Sequence, residues 1–226
     1  MNRILLFMAA CAVAAQPLAA QTLATQTNQS PALTFEPSQI VASNFTPGAP
    51  VIAISIAFVG KGYSSTTSVK VMGGVDSDHD GTVLLPHPNP VPLRSIWIAI
   101  DRRNADFAVA SPRGYQPPQG KPPVFHKHNA AVDEIEWESH AAYLVYAHPG
   151  GGIWTGFAGD GAMEPGVRRD GTNRTSFLLS SLQPLLDDND KKPDEIKPGG
   201  TLFLVDAYDL HTTVVKVDGA MLGGAN

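Results

Sequence analysis

Cysteine is almost absent from this 226-residue chain, because Cys11 is the only one. A disulfide framework and a zinc–thiolate site both need several thiols, so the sequence excludes them. Charge is also scarce: Asp, Glu, Lys and Arg make up 16% of the residues, whereas about 25% is usual. The formal net charge is −5 and no cluster of Lys and Arg stands out. Because phosphate groups are bound by concentrated positive charge, neither a nucleic acid nor an anionic lipid surface is an expected partner.

Common catalytic signatures are missing as well. The sequence contains no G-x-S-x-G nucleophile elbow, no P-loop, no G-x-G-x-x-G before a helix and no H-E-x-x-H zinc motif. What the chain has in quantity is glycine (21) and proline (19). These residues favour turns, and many turns are typical of short strands rather than long helices.

The N-terminus has the organisation of an export signal. Arg3 gives a basic start, an apolar run covers residues 4–15, and small residues follow up to Ala20. We therefore predict a signal peptide cleaved after residue 20 and a bacterial periplasmic, extracellular or cell-surface location. The alternatives are an uncleaved anchor and lipidation of Cys11 in a weak lipobox. The apolar run is short for crossing a bilayer, and the mature chain, from which it is removed, has no predicted membrane span.

Alternating apolar residues predict β-strands through most of the chain. In residues 51–59, Ile52, Ile54 and Ile56 fall on one face, and small residues fall on the other. Another apolar run starts at Ser95 and ends at Asp101. Roughly six or seven short strands within about 80 residues are typical of a sandwich.

A hairpin pattern occurs twice. The run that ends at Asp101 is followed by a second run that closes at Gly114, and Asp206 and Gly219 show the same layout 13 positions apart. An Asp-Gly-Thr turn precedes each hairpin, at residues 80–82 and 170–172. The shared order predicts a duplication into two related β domains.

Five prolines in residues 111–123 set the predicted boundary between the halves, since consecutive prolines favour stiff, extended spacing. The predicted fold is all-β, with two tandem immunoglobulin-like sandwiches and long loops rich in Gly, Pro and Asp. The expected segments are a signal peptide (1–20), a flexible leader (21–32), a first sandwich (33–111), a linker (112–123), a second sandwich (124–219) and a tail (220–226).

Asp76, Asp78 and Asp80, followed by Gly81, have the D-x-D-x-D-G spacing of a calcium loop. The EF-hand pattern needs a glutamate at the twelfth loop position, and His87 stands there instead. Calcium is therefore an alternative to the simpler interpretation, which is a polar hairpin tip without a cofactor.

His126 and His128 fall on one face if their segment is a strand, and they are candidate ligands for zinc or copper. A third ligand would come from His140, His148, Glu136 or Glu138. The other interpretation is that these histidines are surface residues. The alternating Glu134, Glu136 and Glu138 could supply paired carboxylates for glycoside hydrolysis. The clean alternation favours a solvated face instead.

The chain resembles bacterial exported proteins built from immunoglobulin-like or fibronectin type III-like sandwiches. The resemblance covers roughly residues 33–219 and rests on turn and strand patterns at residues 45–48, 78–82, 95–101 and 149–154. The chain lacks the Cys–Trp–Cys core of antibody domains. Such families imply adhesion, scaffolding or subunit roles.

We therefore predict an exported, non-enzymatic structural or binding protein with protein partners. It would be an accessory subunit on the periplasmic or outer face of a membrane complex, or a cell-surface module. The alternative is a metal-dependent secreted enzyme, carbohydrate-active for instance, that uses His126, His128, His140 and His148. Convergence of these imidazoles within about 5 Å of one point would favour the alternative.

Overall fold

The computed structural model describes residues 29–59, 66–86, 91–92, 94–112, 116–128, 131–139, 141–148, 152–159, 174–185, 193 and 195–223. Antiparallel strands dominate these residues, which confirms the all-β prediction. The helical elements with described bounds are a 3-10 turn at Leu179–Ser181 and a short helix, α1, at Gly219–Gly223. No helix among the described residues is long and apolar enough to cross a membrane. The predicted signal peptide and Cys11 lie outside the described residues.

The first half forms two antiparallel sheets. Its strands are β1 (Ala32–Phe35), β2 (Gln39–Ser43), β3 (Pro50–Val59), β4 (Thr66–Val75), β5 (Val83–Pro86), β6 (Ser95–Asp101) and β7 (Phe107–Ala110). One sheet has the order β1-β2-β5, and the other has the order β4-β3-β6-β7. The early alternating run is β3, which pairs with β4 on one side and with β6 on the other.

The second half repeats this arrangement. Its strands are β8 (Val124–His128), β9 (Ala131–Trp137), β10 (Ala141–Ala147), β11 (Ile153–Gly159), β12 (Thr175–Leu178), β13 (Gln183–Pro184), β14 (Thr201–Asp206) and β15 (Thr212–Lys216). The sheet orders are β12-β9-β8 and β13-β11-β10-β14-β15. Apart from the two-residue β13, each half builds its small sheet from its first, second and fifth strands.

The two hairpins found in the sequence have the same register. Trp97 lies opposite Ala110 in the first, and Leu202 lies opposite Val215 in the second. Both members of the second pair are 105 positions later (202 − 97 and 215 − 110). The repeat seen in the sequence is therefore also a repeat of strand pairing.

The turns of these hairpins also share their backbone hydrogen bonds. The N–H of the aspartate donates to the carbonyl five residues later, at 2.8 Å for Asp101 and 3.0 Å for Asp206. The aspartate carbonyl accepts from the N–H four residues later, at 2.9 and 3.2 Å. That fourth residue, Ala105 or Leu210, has a positive φ of 59° or 62°.

A hydrophobic core fills each half. In the first half, Ile40 and Leu85 of the small sheet pack with Trp97 of the large sheet. In the second half, Ile135 and Phe177 pack with residues of the large sheet that include Leu204. Each core therefore lies between a small sheet and a large sheet, as in a β-sandwich.

A third core joins the halves. It contains Ile54 and Ile98, which are paired across β3 and β6, together with Val145 and Phe203, which are paired across β10 and β14. Phe107 and Phe203 meet edge to face with ring centroids 5.0 Å apart. Equivalent positions of the two halves therefore meet in one cluster, as in an isologous dimer interface.

This third core explains why β6 is buried along its whole length. The isoleucine faces of β3 and β6 pack against the second half, while Ala53, Trp97 and Ala99 on the opposite faces pack against the small sheet of the first half. The isoleucine face and the opposite face of these two strands therefore form two different interfaces.

The described part of the predicted linker is hydrogen bonded to the second half. Gly120 N–H donates to the Thr212 carbonyl (3.0 Å), and Thr212 N–H donates to the Pro118 carbonyl (2.9 Å). Gln119 forms a parallel bridge with Thr212. Residues 116–123 thus lie along the start of β15, whereas a linker was expected to act as a spacer.

Candidate functional site

The structure brings Asp76, Asp78 and Asp80 together at the tip between β4 and β5. One carboxylate oxygen of each lies within 4.8 Å of the others. Asp76 is buried, whereas Asp78 and Asp80 are exposed. His87, which stands at the twelfth position where the EF-hand pattern needs a glutamate, lies outside the described residues.

The Asp76 carboxylate holds the surrounding loops together. Its Oδ2 accepts from Gly48 N–H (2.7 Å) and Gly81 N–H (2.8 Å), and its Oδ1 accepts from Asp80 N–H (3.2 Å). Burial acts to raise the pKa of Asp76, but these hydrogen bonds outweigh burial and hold the pKa below its ordinary value. The arrangement is that of a polar hairpin tip braced by an ionised carboxylate.

Backbone conformation at this tip explains the glycine of the motif. Gly81 has a φ of +83°, and a Cβ there would lie 2.7 Å from the Phe45 carbonyl oxygen. Phe45 N–H in turn donates to the Gly81 carbonyl (3.1 Å). Gly81 is therefore required for close approach of two loops, whether or not a cation binds.

His126 lies on β8 beside a buried carboxylate. Its Nε2 is 3.8 Å from Glu136 Oε2 and has no hydrogen-bond partner among the described residues. Arg174 donates a hydrogen bond to Oε1 of the same glutamate. Glu136 is thus held between a guanidinium and an imidazole, so it does not belong to the solvated row that the alternation suggested.

The other predicted histidine ligands are only partly visible. His128 pairs with Ala131 through the backbone, and its side chain lies outside the described residues, as does all of His140. His148 follows β10, with its ring centroid 6.4 Å from that of Tyr146. Among the described residues, His126 belongs to no group of three potential ligands.

A second cluster was not predicted from the sequence. Asp206, Asp209 and His211 each place a ligand-type atom within 4.8 Å of the others. His211 Nδ1 lies 2.6 Å from Asp209 Oδ1, and its Nε2 lies 3.2 Å from the Glu138 carbonyl oxygen. The sequence does contain a signal for this cluster. When the two hairpins are aligned, Asp209 and His211 of the second stand at the positions of Asn104 and Asp106 in the first.

Direct hydrogen bonds occupy this second cluster. Asp206 Oδ1 accepts from Tyr208 N–H (2.7 Å) and Asp209 N–H (3.1 Å). Asp209 Oδ1 accepts from His211 N–H (2.9 Å) as well as from the ring. The side chains are thus hydrogen bonded to one another and to the turn backbone, and these bonds stabilise the turn.

Comparison with known proteins gives no relative. No family model, no curated protein and no solved structure matches this chain.

Proposed function

We propose that this chain is an exported, non-enzymatic binding or structural protein built from two immunoglobulin-like sandwiches. The repeated division into a three-stranded and a larger antiparallel sheet supports the sandwich assignment. The observation that carries the functional proposal is that the candidate catalytic and metal-binding side chains make hydrogen bonds that hold the fold together. Asp76 braces three loop amides, Arg174 binds Glu136, and His211 binds Asp209.

We propose a protein partner, either in a membrane complex on its periplasmic or outer face or at the cell surface. Large apolar side chains reach the surface at several places, and these supply contact area that a protein partner would cover. They include Val75, Leu84, Phe157 and Tyr208, each more than half exposed. The export signal predicted at the N-terminus supports the location.

The test is gentle purification of a C-terminally tagged chain from its native membranes, with and without chemical cross-linking. We expect co-elution with a protein partner at a mass well above 23.9 kDa. A monomer that elutes alone under both conditions would overturn the proposal. Mass spectrometry of the same sample tests cleavage after Ala20, because the mature chain would begin at Gln21.

One observation favours the second candidate, a metal-dependent secreted enzyme. The unbonded His126 Nε2 points to within 3.8 Å of Glu136 Oε2, and one metal ion can join an imidazole and a carboxylate. Metal content should be measured for the native chain and for His126→Ala and His128→Ala, with His79→Asn as the control. Loss of bound zinc or copper in the first two variants alone would favour the enzyme; absence of metal in all four proteins would exclude this site.

Calcium at Asp76, Asp78 and Asp80 is tested separately by isothermal titration of the mature chain. Asp78→Asn and Asp80→Asn remove exposed carboxylates and leave the Asp76 brace intact. If the tip is only a polar turn, as the lead proposal holds, calcium gives no heat and no thermal shift. Heat that disappears in both variants would establish a calcium site instead.

A further inference from the structure

β4 is the longest sheet edge in the part of the chain that the structure describes. It has ten residues and pairs only with β3. The edge strands β1, β5, β7 and β12 have four residues each, and the two-residue β13 covers β11. β8 and β15 have five residues; β8 carries a bulge, and Gln119 bridges to Thr212 at the start of β15. Short, bulged or covered edges resist pairing with other strands, so β4 is the exception.

The hydrogen bonds around β3 fix which backbone groups of β4 are free. Asp76 N–H donates to the Ala49 carbonyl (3.2 Å), at the pair that continues the β3–β4 register. Because residues that bond to the partner strand alternate with residues that face away, the odd-numbered residues 67–75 direct their N–H and C=O groups away from β3. On the other side of β3, the Pro50 carbonyl accepts from Arg102 N–H (3.1 Å), which agrees with this alternation. Among the described residues, no backbone hydrogen bond from outside the sheet reaches the outward groups.

The side chains beside this free edge are apolar. Val69 and Val71 lie opposite Ile56 and Ile54 of β3, and residues directly opposite each other share a face of the sheet. Val69 packs against the third core. Val71 is 41% exposed and Val75, on the same face, is 64% exposed. The apolar face that joins the two halves therefore continues to the free edge of β4, where it is open to solvent.

The sequence of β4 is complementary to itself in an antiparallel register centred on Val71. In that register the outward-facing residues of two copies pair with each other, and Val71 lies opposite Val71 of the second copy. Lys70 is the one charged residue among Thr66–Val75, and it lies opposite Met72. Like charges directly opposite each other are destabilising, and this register avoids them.

The same register also uses the space at Gly73. Among the described residues, a Cβ at Gly73 would meet only the Val51 carbonyl oxygen, at 3.8 Å. Val69 of the second copy lies opposite Gly73, so its branched side chain has room beside the glycine. The pairing therefore matches a bulky residue with a small one at two symmetry-related places.

We propose that β4 pairs with β4 of a second copy of this chain and joins two four-stranded sheets into one continuous sheet. The occupant is a second copy because one register pairs the outward groups of residues 67–75 in both strands, keeps Lys70 away from Lys70 and continues the apolar face of the third core. Main-chain hydrogen bonds between added strands supply affinity, and alternate side chains supply specificity. This inference is independent of the proposed function, because such a dimer needs no other protein.

The first test is analytical ultracentrifugation of the purified chain over a range of protein concentrations. We expect the mass to rise with concentration to twice that of one chain, which is at most 23.9 kDa. Val71→Lys should move the midpoint to at least about tenfold higher concentration, because two lysines would then lie opposite each other. Leu178→Lys, at a half-exposed position on β12, is the control and should leave the midpoint unchanged.

A chain that stays monomeric at every concentration would overturn the proposal. Equal weakening by Val71→Lys and Leu178→Lys would also overturn it, because it would show nonspecific association of apolar surface. Circular dichroism of both variants confirms that the sheet is retained. A chain that is monomeric alone, yet is cross-linked through β4 to a different protein in native membranes, would replace the second copy with another partner.

A second test reads the register directly and does not depend on weakening the dimer. In the proposed pairing the two Val71 Cα atoms lie about 5.5 Å apart, which is within the range of a disulfide. Val71→Cys should therefore give a covalent dimer under mild oxidation. Val75→Cys is the matched control, because the two cysteines would lie eight positions apart along the strand, roughly 27 Å. Cross-linking of neither variant, or of both to the same extent, would contradict the pairing.

Discussion

The turns after β6 and β14 share one backbone conformation but carry different side chains. Each turn contacts the loop between the second and third strands of its own half, but through different groups. In the first half, Asn104 Nδ2 donates to Thr46 Oγ1 (3.2 Å). In the second, the His211 ring bonds to the Glu138 carbonyl. The contact between hairpin and loop is thus present in both halves, through an amide and a hydroxyl group in the first and through an imidazole and a backbone carbonyl in the second.

The edges of the large sheets differ as well. In the second half, β13 pairs with β11, and Gln119 bridges to Thr212 on β15. In the described part of the first half, β4 and β7 pair only with β3 and β6. An unpaired sheet edge can pair with a strand of another chain. We therefore expect contacts with other chains at β4 and β7 rather than at the edges of the second half.

The largest expected effect comes from the core shared by the halves. Phe203→Ala should lower the free energy of unfolding by about 3–5 kcal/mol, and the equivalent Ile98→Ala by about 2–5 kcal/mol, because both leave a cavity among buried side chains. Urea unfolding followed by circular dichroism and tryptophan fluorescence measures both. Leu84→Ala, at an exposed position, is the control.

Because one core contains residues of both halves, we also expect the two probes to report a single transition for the unsubstituted chain. Two well-separated transitions would show that the halves unfold independently, and the shared core would then contribute little to stability.

Asp76→Ala should cost about 2–4 kcal/mol, since three backbone N–H groups would lose their charged acceptor. Asp78→Ala, two residues away and exposed, should change stability by less than about 0.5 kcal/mol. Thermal and urea unfolding give both values. Equal losses in the two variants would contradict the assignment of Asp76 as the brace of this tip.

Gly120→Ala should cost about 1–3 kcal/mol, because the added methyl group meets Thr213 Oγ1 at 2.5 Å as well as the Trp137 and His211 rings. Gly219→Ala is the matched control, since nothing lies within 4 Å of a Cβ there. The same unfolding measurements apply. A tolerated Gly120→Ala would mean that the segment before β8 is loosely held.

The smallest effect concerns acid pH. Asp76 has a folded-state pKa below its ordinary value, so its ionised form contributes stability above an unfolded pKa of about 3.9. This contribution is lost as pH falls through the folded pKa. The stability difference between the unsubstituted chain and Asp76→Asn should therefore shrink from pH 7 to pH 3. A difference that stays constant would mean that the charge of Asp76 does not matter.

Much of the strand pattern could be predicted from sequence, because alternation reports burial directly. The two hairpins were identified from apolar runs that end at Asp101 and Asp206, and their register and turns agree. The acidic tip was also found, since Asp76 and Gly81 have fixed roles in a tight turn. These predictions were possible because they depend on residues that are close together in the sequence.

What could not be predicted depends on long-range packing. Nothing in the alternation of β3 shows that the face with Ile54 meets the other half and not solvent, and this contact defines the third core. The burial of Glu136 depends on Arg174, 38 positions away. His211 contacts the Glu138 carbonyl and the Trp137 ring only because the fold brings these distant residues together.

The self-complementary contact between the halves has a consequence for assembly. Because equivalent faces meet, the first half of one molecule and the second half of another present the same surfaces that are joined within a single molecule. Intramolecular pairing is then favoured by effective concentration, which reaches the millimolar range for closely tethered partners. A change that lengthens or stiffens the connection would lower this effective concentration and shift the chain towards exchanged dimers.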